Sequence, residues 1–141
     1  MGLDFVLLEL DHRRVEQAKA AGLSIIYGDA SRRVVLEAAQ VGSARLLLVT
    51  TPAIETTNSI VAQVRRLHPE LHIVARADSV EMLRALHEHG VQEVVQPEFE
   101  ASLEMIRQAL HHFDIPPTEI QKFTDSIHQQ MYAPLYERHN N

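Results

Sequence analysis

"FVLLELDHRRVEQAKAAGLSIIYGDASRRVVLEAA" occupies residues 5–39, and its reading decides the fold. An apolar run at 5–10 ends in Glu9 and Asp11. A helical pattern follows, with Val15 and Ala18 on one side, and Gly22 stops it. A second apolar run, 24–28, ends in Gly28-Asp29-Ala30. Ser31 is placed to cap a second helical pattern that carries Val35, Leu36 and Ala39 and stops at Gly42. The order is strand, helix, strand, helix.

Working outward, three further apolar runs repeat the unit: "RLLLVTT" (45–51), "HIVARA" (72–77) and "EVVQP" (93–97). All five are nearly continuous in Val, Ile and Leu rather than alternating. Strands covered on both faces read this way, which predicts a parallel sheet with right-handed crossovers. Ile60, Val61, Val64 and Leu67 form the stripe of a third helix, with Pro69 beyond its end. Asp78 with Glu81 makes a capping box for a fourth, which Gly90 closes. Phe99, Leu103, Ile106, Leu110 and Phe113 recur at helical spacing.

"DIPP" (114–117) is the one clear break. It divides the chain into an α/β domain over 1–113 and a helical extension over 114–141. In the extension, Thr118 and Gln121 suit a capping box, and Ile120, Phe123, Ile127 and Met131 form an apolar stripe. Pro134 is expected to end or bend that helix, and the last polar residues to fray.

The chain has 141 residues, 45% hydrophobic and 23% charged, which suits one soluble domain with a core. Its net charge of −6 argues against a nucleic-acid surface, because phosphate neutralisation needs clustered Lys and Arg. There are no cysteines, so disulfides, thiolate nucleophiles and Cys-based zinc sites are excluded, and a reducing cytoplasm fits. No apolar run approaches the ~18 residues a membrane span needs, so no direct membrane insertion is expected. Nine histidines invite a metal reading. None forms His-x-x-x-His on a helix: Pro69 separates His68 from His72, and His87 and His89 point to different sides. Metal ligation is therefore not expected, and no Gly-x-Ser-x-Gly points to a nucleophile.

Ligands of an open parallel sheet sit beyond the carboxyl ends of its strands. The runs deliver Glu9 and Asp11, then Asp29 and Ala30, then Thr50 and Thr51, then Arg76 to that edge. Carboxylates accept from ribose hydroxyls or an adenine amino group, and hydroxyls donate to phosphates. Each residue also has a plain structural reading. Asp11 serves as a helix cap, Asp29 as a turn residue, Arg76 as a partner for Asp78 or Glu98, and the threonines satisfy loop backbone.

The segments "VLLELD", "IIYGDASRRVVLEAA", "RLLLVTT", "IVARA" and "GVQEVVQP" together resemble the TrkA-N domain, also called the RCK (regulator of potassium conductance) domain. The similarity covers about Phe5 to Phe113, and the tail is similar to the extension found in Kef-like cation/proton antiporters. The resemblance implies a Rossmann-type regulatory domain without catalytic activity, binding NAD(H) or an adenine nucleotide (AMP, ADP or ATP). It implies Glu9 at the ribose hydroxyls, Asp29 near the adenine, Thr50 and Thr51 beside the phosphates or second ribose, and Arg76 at the mouth. It also implies a homodimer in which the helix over Phe99–Phe113 crosses to a partner. The setting it implies is cytoplasmic, at the inner face of a membrane beside a cation transporter or channel subunit.

The family's opening strand, Gly-x-Gly-x-x-Gly turn and first helix have no counterpart here, since Gly2 is the only glycine before Gly22. The expected fold is thus a Rossmann-like parallel sheet truncated at its N-terminus, with an additional C-terminal helix. In the order 3-2-1-4-5-6 the absent strand is central, which leaves unpaired backbone and bare apolar surface. The chain is expected to be a piece of a longer protein, or else its sheet closes the gap or borrows a strand or helix from a second copy. A fragment of an NAD-dependent oxidoreductase is the alternative. It calls for a proton donor beside the nicotinamide and a substrate domain. A phospho-receiver domain fits poorly, because Lys19 and Lys122 both fall on helices.

Overall fold

The structure, a computed structural model, describes residues 2–136, the side chains of 134–136 aside. Five strands alternate with helices: β1 (Leu7–Glu9), α1 (His12–Ala20), β2 (Ile25–Tyr27), α2 (Arg33–Ala38), β3 (Leu46–Val49), α3 (Ile54–Leu67), β4 (His72–Arg76), α4 (Val80–Glu88), β5 (Glu93–Val95) and α5 (Pro97–His112). A final helix, α6 (Pro117–Tyr136), follows. Every strand lies within an apolar run that the sequence marks, and every pairing is parallel. The fold is α/β and Rossmann-like, with a C-terminal helix.

The sheet is split. β1 pairs with β2, and β3–β4–β5 form a separate ladder. Among the described residues no strand lies between β1 and β3, so the gap expected at the centre of the sheet is neither closed nor filled. The Leu7 N–H donates to the Ser24 carbonyl, and the Gly28 N–H to the Glu9 carbonyl. In a parallel ladder alternate residues point their backbone groups to opposite sides. Leu8 therefore turns its N–H and C=O away from β2, toward the gap.

One core spans the gap on one face. Val49, Ile73, Ala75 and Val94 from the sheet pack with Leu36 of α2, Ile60, Val61 and Val64 of α3, and Met82, Leu83 and Leu86 of α4. Leu36 is fully buried. Its helix crosses from the first ladder to the second, and Leu8 and Ala30 pack against the same cluster. Burying a leucine of this kind contributes about 1.5–3 kcal/mol. The opposite face is bare at β3, where Leu46 is 54% and Leu48 63% exposed. The continuous apolar runs predict strands covered on both faces. Only one face is covered along β3, because α2, α3 and α4 all contribute to the core on the Val49 side.

The punctuation agrees with expectation at some places and differs at others. Asp11 caps α1, and Gly22 and Gly90 end α1 and α4 with φ of +74° and +82°. The left-handed residue after α2 is Gln40 (φ 58°), not Gly42. Ser79, not Asp78, caps α4 by accepting from the Met82 N–H, since the Asp78 carboxylate is taken by Arg76. Helix α6 begins at Pro117, so Thr118 lies within its first turn, and the helix continues past Pro134 to Tyr136. The expected fraying falls on residues outside those described. The "DIPP" break is made by Asp114 at φ 55°, which turns the chain out of α5.

Helix α6 folds back on its own chain. Ile120 and Thr124 are buried, as is Tyr132, which belongs to the core cluster. The Tyr132 hydroxyl accepts from the Gln96 N–H at 3.3 Å and donates to Glu100 Oε1 at 3.0 Å. Phe123, expected on the apolar stripe, is 49% exposed.

Candidate functional site

All the candidate residues fall at the carboxyl ends of strands. Glu9 ends β1, and Asp11 is the residue before α1. Asp29 and Ala30 form the turn after β2, Thr50 and Thr51 the turn after β3, and Arg76 ends β4. The gap in the sheet divides them into two groups. Among the described residues no hydrogen bond or ion pair joins the Glu9–Asp29 group to the Thr50–Arg76 group.

The first group is tightly organised. Glu9 Oε1 accepts from the N–H groups of Leu10 at 2.8 Å and Asp11 at 2.9 Å. Glu9 Oε2 lies 3.5 Å from the Arg14 guanidinium. The Asp11 N–H bond, helped by the Leu10 bond and the Arg14 charge, holds the Glu9 carboxyl below its ordinary value against a desolvation penalty larger than either of those two. Asp29 Oδ1 accepts both the hydroxyl of Ser31 at 2.7 Å and its N–H at 2.8 Å. The Ser31 hydroxyl bond first, then the Ser31 N–H and Arg32, lower the Asp29 carboxyl as well. Ser31, read as a helix cap, is spent on Asp29 instead, and α2 starts from Arg32 without a side-chain cap. Two ionised carboxylates thus stand on adjacent turns.

Gly28 fixes those turns together. Besides its bond to Glu9, it lies so close to α2 that an added Cβ would sit 2.8 Å from Val35 Cγ2. A side chain there would force Val35 aside. Ala30 is half-buried against the core and positions the turn rather than offering a polar group.

Asp11 is engaged as the α1 cap: its Oδ1 accepts from the Arg13 N–H at 2.8 Å and the Arg14 N–H at 3.4 Å. In the second group, Thr50 is exposed, and the Thr51 carbonyl accepts from the Thr57 hydroxyl at 3.4 Å. Arg76 donates to Asp78 at 2.8 Å and lies 3.6 Å from Glu98, the pairings its plain reading anticipates. Sequence reasoning missed Arg14 and Ser31 as partners of the two acids. The Asp-x-Ser spacing of 29–31 carried a signal for the second, since such a serine closes an Asx turn.

Among the described residues no group of three His, Asp or Glu side chains is arranged to hold a metal ion. None of the helices described is long and apolar enough to cross a membrane. A groove of about 550 Å3 lies away from the acids, between β5 and α6, lined by Val94, Val95, Glu100, His128 and Tyr132 among others.

Comparison with known proteins gives three findings. The TrkA-N domain family model matches residues 2–97. The glutathione-regulated potassium-efflux system protein KefC of Escherichia coli O157:H7 is 30% identical over 124 residues, which is 88% of this chain and 20% of KefC. The chain thus spans about a fifth of the length of such curated relatives. Among solved structures, the TrkA-N domain of the inner membrane protein ybaL from Escherichia coli superposes with a TM-score of 0.68 at 27% identity. The match covers 73% of this chain and 76% of that one. The Kef C-terminal domain of Shewanella denitrificans in its AMP-bound form superposes with a TM-score of 0.76 over 94% of this chain and 95% of that one. At 23% identity it bears on the fold alone.

Proposed function

Because the chain belongs to the TrkA-N domain family, we propose that it is a nucleotide-responsive regulatory domain for cation transport, without catalytic activity of its own. Its ligand is an adenine nucleotide, AMP in the first instance, with ADP, ATP and NAD(H) sharing the adenosine part. Glu9 accepts from the ribose hydroxyls, and Asp29 from the adenine amino group or a neighbouring hydroxyl. The observation that carries this reading is the pair of ionised carboxylates on turns joined by the Gly28–Glu9 backbone bond. A carboxylate already held ionised and oriented accepts a charge-assisted hydrogen bond from a hydroxyl.

The partner is a membrane cation transporter or channel, with the domain on its cytoplasmic side at the inner face. Potassium efflux by the relative KefC supports this reading. A ligand shifts a gating equilibrium only through different affinities for two arrangements of the domain. The bare Leu46 and Leu48 face, with Met105 (73% exposed) on α5 and Phe113 (72%) just after it, supports a homodimer that exchanges a helix or strand. Arg76, Thr50 and Thr51 line the far side of the gap and take the phosphate end of the ligand. Calorimetric titration of AMP into the protein tests the reading, and binding that Glu9→Ala and Asp29→Ala both weaken is the expected result.

A further inference from the structure

We propose that Tyr27 and His12 form the platform on which the base of the nucleotide stacks, so that this edge selects nucleotides over plain sugar phosphates. The inference rests on the nucleotide reading and extends it to residues not assigned to the site. Tyr27 is the register partner of Glu9 in the β1–β2 ladder. Partners in adjacent parallel strands project to the same face, so the ring stands beside the carboxylate that takes the ribose. The base is attached to that ribose. His12 opens α1 directly after Asp11, and its ring meets Tyr27 edge-on, with centroids 6.3 Å apart and planes at 85°.

Neither ring belongs to the core cluster. Tyr27 is 60% exposed and His12 is exposed too. An edge-to-face pair engages one face of one ring and leaves the other faces open. It also restrains both side chains, which lowers the entropy lost when a planar ligand lies on them. Every base offers a π-face to such a surface, and a ribose phosphate offers none.

The test compares AMP with ribose 5-phosphate on the wild type, Tyr27→Phe, Tyr27→Leu and His12→Ala, each checked for an unchanged circular dichroism spectrum. Removing the ring in Tyr27→Leu is expected to weaken AMP roughly tenfold while leaving ribose 5-phosphate unaffected. Tyr27→Phe keeps the ring and keeps the affinity. His12→Ala gives a smaller loss in the same direction, and decides the matter if Tyr27→Leu fails to fold. Tyrosine fluorescence, unobscured in a chain without tryptophan, responds to AMP in the wild type and not in Tyr27→Leu. Equal AMP affinity in wild type and the ring-removing variants overturns the platform while the nucleotide reading stands. A wild type that binds ribose 5-phosphate as well as AMP also overturns it, and failure to bind AMP at all overturns both.

Discussion

The backbone N–H of Gly28 donates to the carbonyl of Glu9 at 3.0 Å, binding the turn after β2 to the end of β1. The same glycine lies against Val35 with no room for a side chain. The two carboxylates proposed to hold the nucleoside are therefore spaced by backbone, not by flexible side chains. Gly28→Ala is expected to push Val35 and α2 aside at a cost of about 1–3 kcal/mol, as overpacking does. Urea denaturation checks the loss, and Val35→Ala in the same chain is expected to restore part of it. A Gly28→Ala protein as stable as wild type contradicts the close approach.

The protonation of Glu9 and Asp29 predicts a pH dependence. Both carboxyls titrate below their ordinary values of 4.5 and 3.8 in the folded chain. A depressed carboxyl contributes stability above its unfolded pKa and loses it as pH falls through the folded one. The urea midpoint should thus be insensitive to these two groups near neutrality and fall with acidification below about pH 4.5. Glu9→Gln should make that fall shallower. An identical slope in wild type and variant contradicts the assignment.

Helix α6 is held partly by the Tyr132 hydroxyl, which joins the Gln96 N–H to Glu100. Tyr132→Phe keeps the ring on Phe99 and removes the polar link, for an expected loss of about 1–2 kcal/mol. Hydrogen exchange localises it: amides of α6 and of the first turn of α5 should exchange faster together. Faster exchange in α6 alone would show that the hydroxyl does not couple the two helices.

Leu46 and Leu48 present apolar surface beside the open edge of β3. Replacing both with Lys should reduce self-association, read by sedimentation velocity across a concentration series, while the core on the Val49 side keeps the domain folded. A wild type that stays monomeric at high concentration contradicts the homodimer, as does a variant that associates equally well.

Much of this architecture was legible in the sequence. Five apolar runs located five parallel strands, because branched residues in short runs have few other stable placements. The gap beside β1 was legible too, from the lack of a Gly-x-Gly-x-x-Gly turn before Gly22. Local competition was not legible. Asp78 leaves the cap of α4 to Ser79 because Arg76 reaches it first, and Ser31 abandons α2 for Asp29. Such choices depend on distances that spacing alone does not supply. One-sided burial of β3 was hidden for a related reason: Leu46 and Leu48 look the same in sequence whether or not anything covers them. The candidate acids were readable from their strand ends, but not Arg14 on Glu9, nor the pairing of Tyr27 with His12.

Glu9 and Asp29 are proposed to hold the nucleoside of an adenine nucleotide. Isothermal calorimetry of AMP against wild type, Glu9→Ala and Asp29→Ala tests it most directly. Saturable binding to the wild type and at least tenfold weaker binding to each variant are expected, in line with the loss of a charge-assisted hydrogen bond of about 1.5–3 kcal/mol. Undetectable binding to the wild type, or equal affinity in all three proteins, would contradict it.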